Sequence, residues 1–194
     1  MDIESKLSTL AKVGKRLNMA SVEWAVGASA LLYLEGVTAD FHDFDLIVAP
    51  DSMETTLDVF NRLGARLLPA QSPNPVYASA RFVEFTLDNV DFDLLCDYTL
   101  RRNEDLYRYP FPGDRAIRAV TVQGVPVPLC PLADWFVLYQ LMPGGVKKAT
   151  LIAHHLKTHP RDGTRHWLGK WLNMRLPGEV RERIFTLYTE LGVR

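Results

Sequence analysis

The run His42-Asp43-Phe44-Asp45-Leu46-Ile47-Val48 puts two carboxylates two residues apart where an apolar segment begins. On a β-strand, residues i and i+2 project from the same face. Two carboxylates held that way repel, and a divalent cation or a shared proton relieves the repulsion. By itself the pattern equally fits two residues facing solvent at a strand end. A second pair, Asp91 and Asp93, recurs in Val90-Asp91-Phe92-Asp93-Leu94-Leu95-Cys96. Upstream, Gly27-Ala28-Ser29 follows the apolar strand Val22–Val26 and opens a helical stretch, Ala30–Glu35, that stops at Gly36. A strand, a small-residue turn and a helix N-terminus make an anion site, because free backbone N–H groups point outward and the helix dipole favours phosphate. Ser29 adds a hydroxyl donor. A phosphate cradle beside two acidic strands is the makeup of a two-metal phosphoryl or nucleotidyl transfer site.

These motifs resemble the nucleotidyltransferase superfamily with the DNA polymerase beta-like fold. The likeness is to its small bacterial branch of antibiotic nucleotidyltransferases and nucleotidyltransferase toxins of toxin–antitoxin pairs. Trp24-Ala25-Val26-Gly27-Ala28-Ser29 matches the strand and Gly-Gly-Ser turn, with Ala28 at the middle glycine. Gly36 matches the helix stop, and Asp43-Phe44-Asp45-Leu46 matches the acidic strand. The third carboxylate of the pattern is Asp93 or Asp91. Asp93 is preferred, because it leads straight into Leu94-Leu95, whereas Asp91 is two residues past the Asp88-Asn89 turn. The chain departs from the pattern at Ala39, where many relatives carry Arg, and at Phe41, where they carry Thr.

The resemblance implies a magnesium-dependent enzyme that moves a nucleoside monophosphate from a nucleoside triphosphate such as ATP to a hydroxyl acceptor. It implies Asp43, Asp45 and Asp93 as ligands of two Mg²⁺ ions, and Gly27, Ala28 and Ser29 as the triphosphate cradle. Lys147 or Lys148, just past a Gly-Gly turn, would reach the phosphates; the two are not distinguishable from sequence. The acceptor is open among a small hydroxylated molecule, a tRNA end and a protein side chain. An antitoxin-like protein partner is also implied. The two departures support a second reading, a catalytically lapsed member acting as a nucleotide-binding or protein-interaction module.

The elements that must position these groups follow from periodicity. Leu7, Leu10, Val13 and Leu17 stripe a helix over 4–18. Strand 22–26, helix 29–35 and strand 44–48 come next. Asp51 is expected to cap a helix over 52–63 that ends at Gly64. Strand 65–68 and a Pro-rich loop, 69–75, precede a hairpin, 76–87 with 90–97, turning at Asp88-Asn89. Ile117–Val122 and Val125–Leu129 form a second hairpin. After Pro131 the pattern turns helical, over 132–142, 146–157, 165–173 and 178–191. Strands mixed with helices, then helices alone, predict an α+β fold. A mixed sheet flanked by helices forms a catalytic domain over 1–130, and a helical subdomain spans 131–194.

Composition agrees with a globular chain: 47% of its 194 residues are hydrophobic and 23% charged. The N-terminus lacks the basic start of a signal peptide, and the longest apolar stretch, Trp24 to Leu34, is too short to span a bilayer, so the chain is expected in the cytoplasm and away from membranes. Cys96 and Cys130 read as buried thiols rather than a disulfide framework. Charge is divided. Residues 1–142 carry 12 Lys and Arg against 19 Asp and Glu, whereas residues 143–194 carry 10 against 4. An acidic half beside a basic half suits a polyanionic substrate. His155 and His159 share a helix face but have no Cys or acidic partner at ligand spacing, so zinc is not expected. Trp135, Trp167 and Trp171 read as core, and Asp97 as a strand-end cap.

Overall fold

The computed structural model describes residues 2–69, 75–111, 113 and 118–192. It divides into two compact units, Met1–Cys130 and Pro131–Arg194. Residues 70–74 of the Pro-rich loop and Ile117 of the second hairpin lie outside the described residues.

In the first unit, helix α1 (Ile3–Met19) starts at Asp2, whose carboxylate accepts the Ser5 amide at 2.8 Å and is held below its ordinary pKa by that bond. Strand β1 (Trp24–Val26) leads into helix α2 (Ala28–Leu34), then β2 (Phe44–Val48), helix α3 (Met53–Arg62) and β3 (Arg66–Leu67). Strands β4 (Arg81–Leu87) and β5 (Val90–Cys96) form a hairpin. Its turn residues Asp88 and Asn89 take φ of 52° and 61°, the left-handed pair that a tight two-residue turn requires. A short hairpin, β6 (Thr99–Arg102) with β7 (Asp105–Arg108), and a last hairpin, β8 (Arg118–Val122) with β9 (Val125–Leu129), complete the unit.

Seven strands form one mixed sheet in the order β3-β4-β5-β2-β1-β9-β8. Strand β2 runs parallel to β5 and β1 parallel to β9, and the other pairs are antiparallel. Alternation divides the sheet into two chemically distinct faces. One carries Phe44, Leu46, Phe85, Phe92 and Leu94, all buried. Phe60 of α3 packs there, 5.1 Å from Phe85 and 5.3 Å from Phe92 between ring centroids. Leu10, Val13 and Leu17 of α1 are fully buried. The opposite face carries the carboxylates.

Two expectations need correction. Asp51 does not cap α3: it lies inside a single 3-10 turn, Pro50–Ser52, and Ser52 is the residue that precedes the helix. The Ser52 hydroxyl accepts the Glu23 amide at 3.0 Å, so this turn is tied to the start of β1 instead. The strand expected over 76–87 begins at Arg81, and residues 76–78 pair with β6, through Arg101 N–H to the Val76 carbonyl at 2.7 Å and Ala78 N–H to the Thr99 carbonyl at 2.8 Å. That β6–β7 hairpin carried no signal, since its strands are four residues long, rich in charge, and joined by Asn103-Glu104 without glycine.

The second unit consists of α4 (Leu132–Leu141), α5 (Val146–Thr158), α6 (Thr164–Leu172) and α7 (Gly178–Glu190). Helix α4 is buried along its whole length. Its Asp134 carboxylate accepts the Trp171 indole N–H at 2.7 Å, which fastens α6 to it. The α4–α5 turn needs Gly145, where a Cβ would stand 2.0 Å from the Tyr139 carbonyl oxygen.

Candidate active site

Register decides which carboxylates meet. Strand β2 pairs with β5 so that Asp45 lies beside Asp93, and β4 brings Glu84 beside Asp93 from the other side. Residues opposite one another across a ladder share a face, so Asp45, Asp93 and Glu84 form a row across three strands. Asp91 shares that face but pairs with Thr86, two residues nearer the turn, and is exposed. Asp43 sits just ahead of β2, half-buried, and outside the ladder.

The electrostatics match this arrangement. Burial, followed by the negative charges of Asp43, Glu84 and Asp91, pushes the Asp93 carboxyl up to about 7. The Tyr77 phenol is raised by burial and then by the charges of Asp45, Asp93 and Asp43. Its ring is nonetheless 48% exposed. The β6 pairing holds Tyr77 there, through a bridge to Leu100. Asp97 stands apart, as its carboxylate accepts from Arg108 at 2.6 Å.

The turn before α2 adjoins this row directly. The Gly27 amide donates to the Asp45 carbonyl at 2.8 Å, locking the head of α2 against the acidic strand. Ala28 takes φ +41°, in the left-handed region that favours glycine, where the resembling family carries its middle glycine. The first-turn amides of a helix have no carbonyl partner within it. Ala28 and Ser29 are half-buried there.

Ala39 is exposed, whereas Phe41 is only 5% exposed and fills the core between Tyr33 and Phe44, with ring centroids at 5.0 and 4.9 Å. Lys147 and Lys148 are exposed on the first turn of α5 in the second unit, and the Lys148 ammonium lies 5.0 Å over the Tyr139 ring.

Among the described residues, no three His, Cys, Asp or Glu side chains converge as a ready-made metal centre. Of the carboxylates expected to hold Mg²⁺, Asp45 and Asp93 share one face of the sheet and Asp43 stands just ahead of it. Their chemistry fits a hard divalent cation: the donors are all oxygens, and the negative charge gathered around Asp93 is what such a cation would neutralise.

Glu84 and Tyr77 are not among the residues expected from the sequence. Glu84 was legible, because a two-residue turn at 88–89 pairs Leu87 with Val90 and hence Glu84 with Asp93. Tyr77 had no signal, since only the pairing with β6 brings it to the site.

No protein-family model and no curated protein matches the sequence. Solved structures do. A Thermotoga maritima protein provisionally assigned as a nucleotidyltransferase superposes with a TM-score of 0.62 at 22% identity, over 82% of this chain and 97% of that one. The antibiotic-resistance factor ANT(2'')-Ia, in its solution structure, superposes at 0.56 with 12% identity over the whole of both chains. Its crystal structure in complex with adenylyl-2''-tobramycin superposes at 0.54 with 12% identity over 97% of each. This chain thus shares its fold, a mixed sheet flanked by helices, with these solved structures.

Proposed function

We propose that the protein is a metal-dependent nucleotidyltransferase that moves a nucleoside monophosphate from a nucleoside triphosphate to the hydroxyl of a small molecule. The observation that carries this reading is the pairing of Asp45 with Asp93 on a nucleotidyltransferase fold, with the Gly27 amide bonded to the same acidic strand. Asp43, Asp45 and Asp93 would hold Mg²⁺, which supplies neutralisation of phosphate charge and acidification of the acceptor hydroxyl. The amides of the Gly27–Ser29 turn and the Ser29 hydroxyl donate to the triphosphate. Asp93 accepts the proton of the acceptor hydroxyl. The acceptor oxygen bonds to the α-phosphorus as the α–β phosphoanhydride bond breaks, and pyrophosphate leaves with the displaced electron pair.

The ANT(2'')-Ia complex with an adenylylated aminoglycoside favours a small-molecule acceptor over a tRNA end or a protein. Exposed Asp91 and half-buried Glu84 beside Asp93 suit an acceptor bearing amines. An antitoxin-like partner rests on the sequence resemblance alone. Ala39 and the core position of Phe41 favour the second reading, a nucleotide-binding module without transfer.

Labelled nucleoside triphosphates, Mg²⁺ and a panel of hydroxylated acceptors test the proposal. Transfer should occur in the parent and vanish in Asp43→Asn and Asp45→Asn. Nucleotide binding without transfer to any acceptor would favour the module. Transfer at the parent rate by the double Asn variant would remove the site from these residues.

A further inference from the structure

Of the three carboxylates assigned to the cation, two are held by the sheet and one is not. Asp45 and Asp93 lie within the β2–β5 ladder, whereas Asp43 precedes its first pair, Phe44 with Phe92. Something else must place Asp43. Lys6 of α1 reaches across 36 positions of sequence to donate to the His42 carbonyl at 2.7 Å and to the Phe41 carbonyl at 3.0 Å. Its ammonium also stands 5.0 Å from the centroid of the buried Phe41 ring. The His42 carbonyl and the Asp43 amide belong to one rigid peptide plane. Anchoring that carbonyl therefore anchors the Asp43 Cα from its N-terminal side, while the ladder at Phe44 anchors it from the other. Two charge-assisted hydrogen bonds to successive carbonyls restrain both the position and the tilt of the segment.

We infer that Lys6 is a positioning residue that sets the Asp43 carboxylate for cation binding by gripping the two carbonyls ahead of it. The inference rests on the reading of Asp43 as a cation ligand, and its test separates the two. Mn²⁺ binding to the full chain is followed by electron paramagnetic resonance in the parent, Lys6→Met, Lys6→Arg, Lys12→Met, Asp43→Asn and the Lys6→Met/Asp43→Asn double variant. Amide hydrogen exchange over 41–44 is measured in parallel without metal.

Lys6→Met should weaken Mn²⁺ binding about 10-fold, as loss of a group that orients a ligand does, and should quicken exchange over 41–44. Lys6→Arg should recover part of the affinity. Lys12→Met removes a different tie of α1, the 2.8 Å ion pair with Asp88, and should leave affinity within about twofold. In the Asp43→Asn background the Lys6 substitution should cost little more, because the two act as one unit. A Lys6→Met protein with parental affinity, with unchanged exchange over 41–44, or with an equal loss when Asp43 is already Asn, overturns the inference. A parent that takes up no Mn²⁺ overturns the cation reading itself, and the inference with it.

Discussion

Asp93→Asn should make the metal-free protein more stable at pH 8 and leave it nearly unchanged at pH 4. The cause is the crowding of Asp93 by burial and by Asp43, Glu84 and Asp91, which raises its carboxyl from an ordinary 3.8 to about 7. A carboxyl raised on folding binds a proton in the native state that the unfolded chain releases. Its contribution to stability is therefore fullest below about pH 4, falls as pH rises toward 7, and stays lost above it. At full strength a displacement of this size corresponds to roughly 4 kcal/mol. Asp93 is partly exposed, so solvent screening leaves about 1–2 kcal/mol. For a chain of this length that is a rise in Tm of about 3–6 °C. Asparagine is nearly isosteric and carries no charge, so it removes the repulsion without opening a cavity. Thermal unfolding followed by circular dichroism in EDTA, at pH 4 and pH 8, measures the effect. Adding Mg²⁺ at pH 8 should raise the Tm of the parent and not that of Asp93→Asn, because a ligand that binds only the native state stabilises by mass action. A neutral or destabilising Asp93→Asn at pH 8, or an equal gain at both pH values, would refute the electrostatic account of the site.

Three further outcomes are expected. Ser29→Ala should weaken triphosphate binding by about 1–2 kcal/mol, the scale of a hydrogen bond to a charged group, in calorimetric titration. Ala28→Gly should stabilise the fold by up to about 1 kcal/mol in chemical denaturation, since relief of the left-handed backbone at φ +41° outweighs the added freedom of the unfolded chain. Phe41→Thr, the residue many relatives carry, should cost about 2–4 kcal/mol by the same assay, because it empties a buried aromatic site between Tyr33 and Phe44. A Phe41→Thr protein as stable as the parent would mean that Phe41 is not part of the core.

Short-range order was legible before any coordinates. The Gly27-Ala28-Ser29 turn, the Asp43–Val48 strand, the hairpin at Asp88-Asn89 and the helices after Pro131 each carry their cause in local residue types: small residues where the backbone must turn, alternation where one face is buried, and left-handed-tolerant residues at a tight turn. What required the tertiary structure was everything decided by pairing between distant segments. Two acidic strands can lie side by side in either direction and several registers. Only the parallel β2–β5 ladder puts Asp93, rather than Asp91, beside Asp45. The β6–β7 hairpin has no pattern of its own, yet its Leu100 bridges to Tyr77, whose phenol feels the charges of Asp45, Asp93 and Asp43. The role of Phe41 was misleading in one dimension, where it stood as a missing hydroxyl, and becomes intelligible only as core packing. The two bonds of Lys6 to the Phe41 and His42 carbonyls come into being only when α1 folds back over the start of β2. Local sequence specifies elements because backbone preference is a local energy, whereas a site built from carboxylates on two strands, a turn and a helix depends on contacts whose partners are set by the packing of the whole sheet.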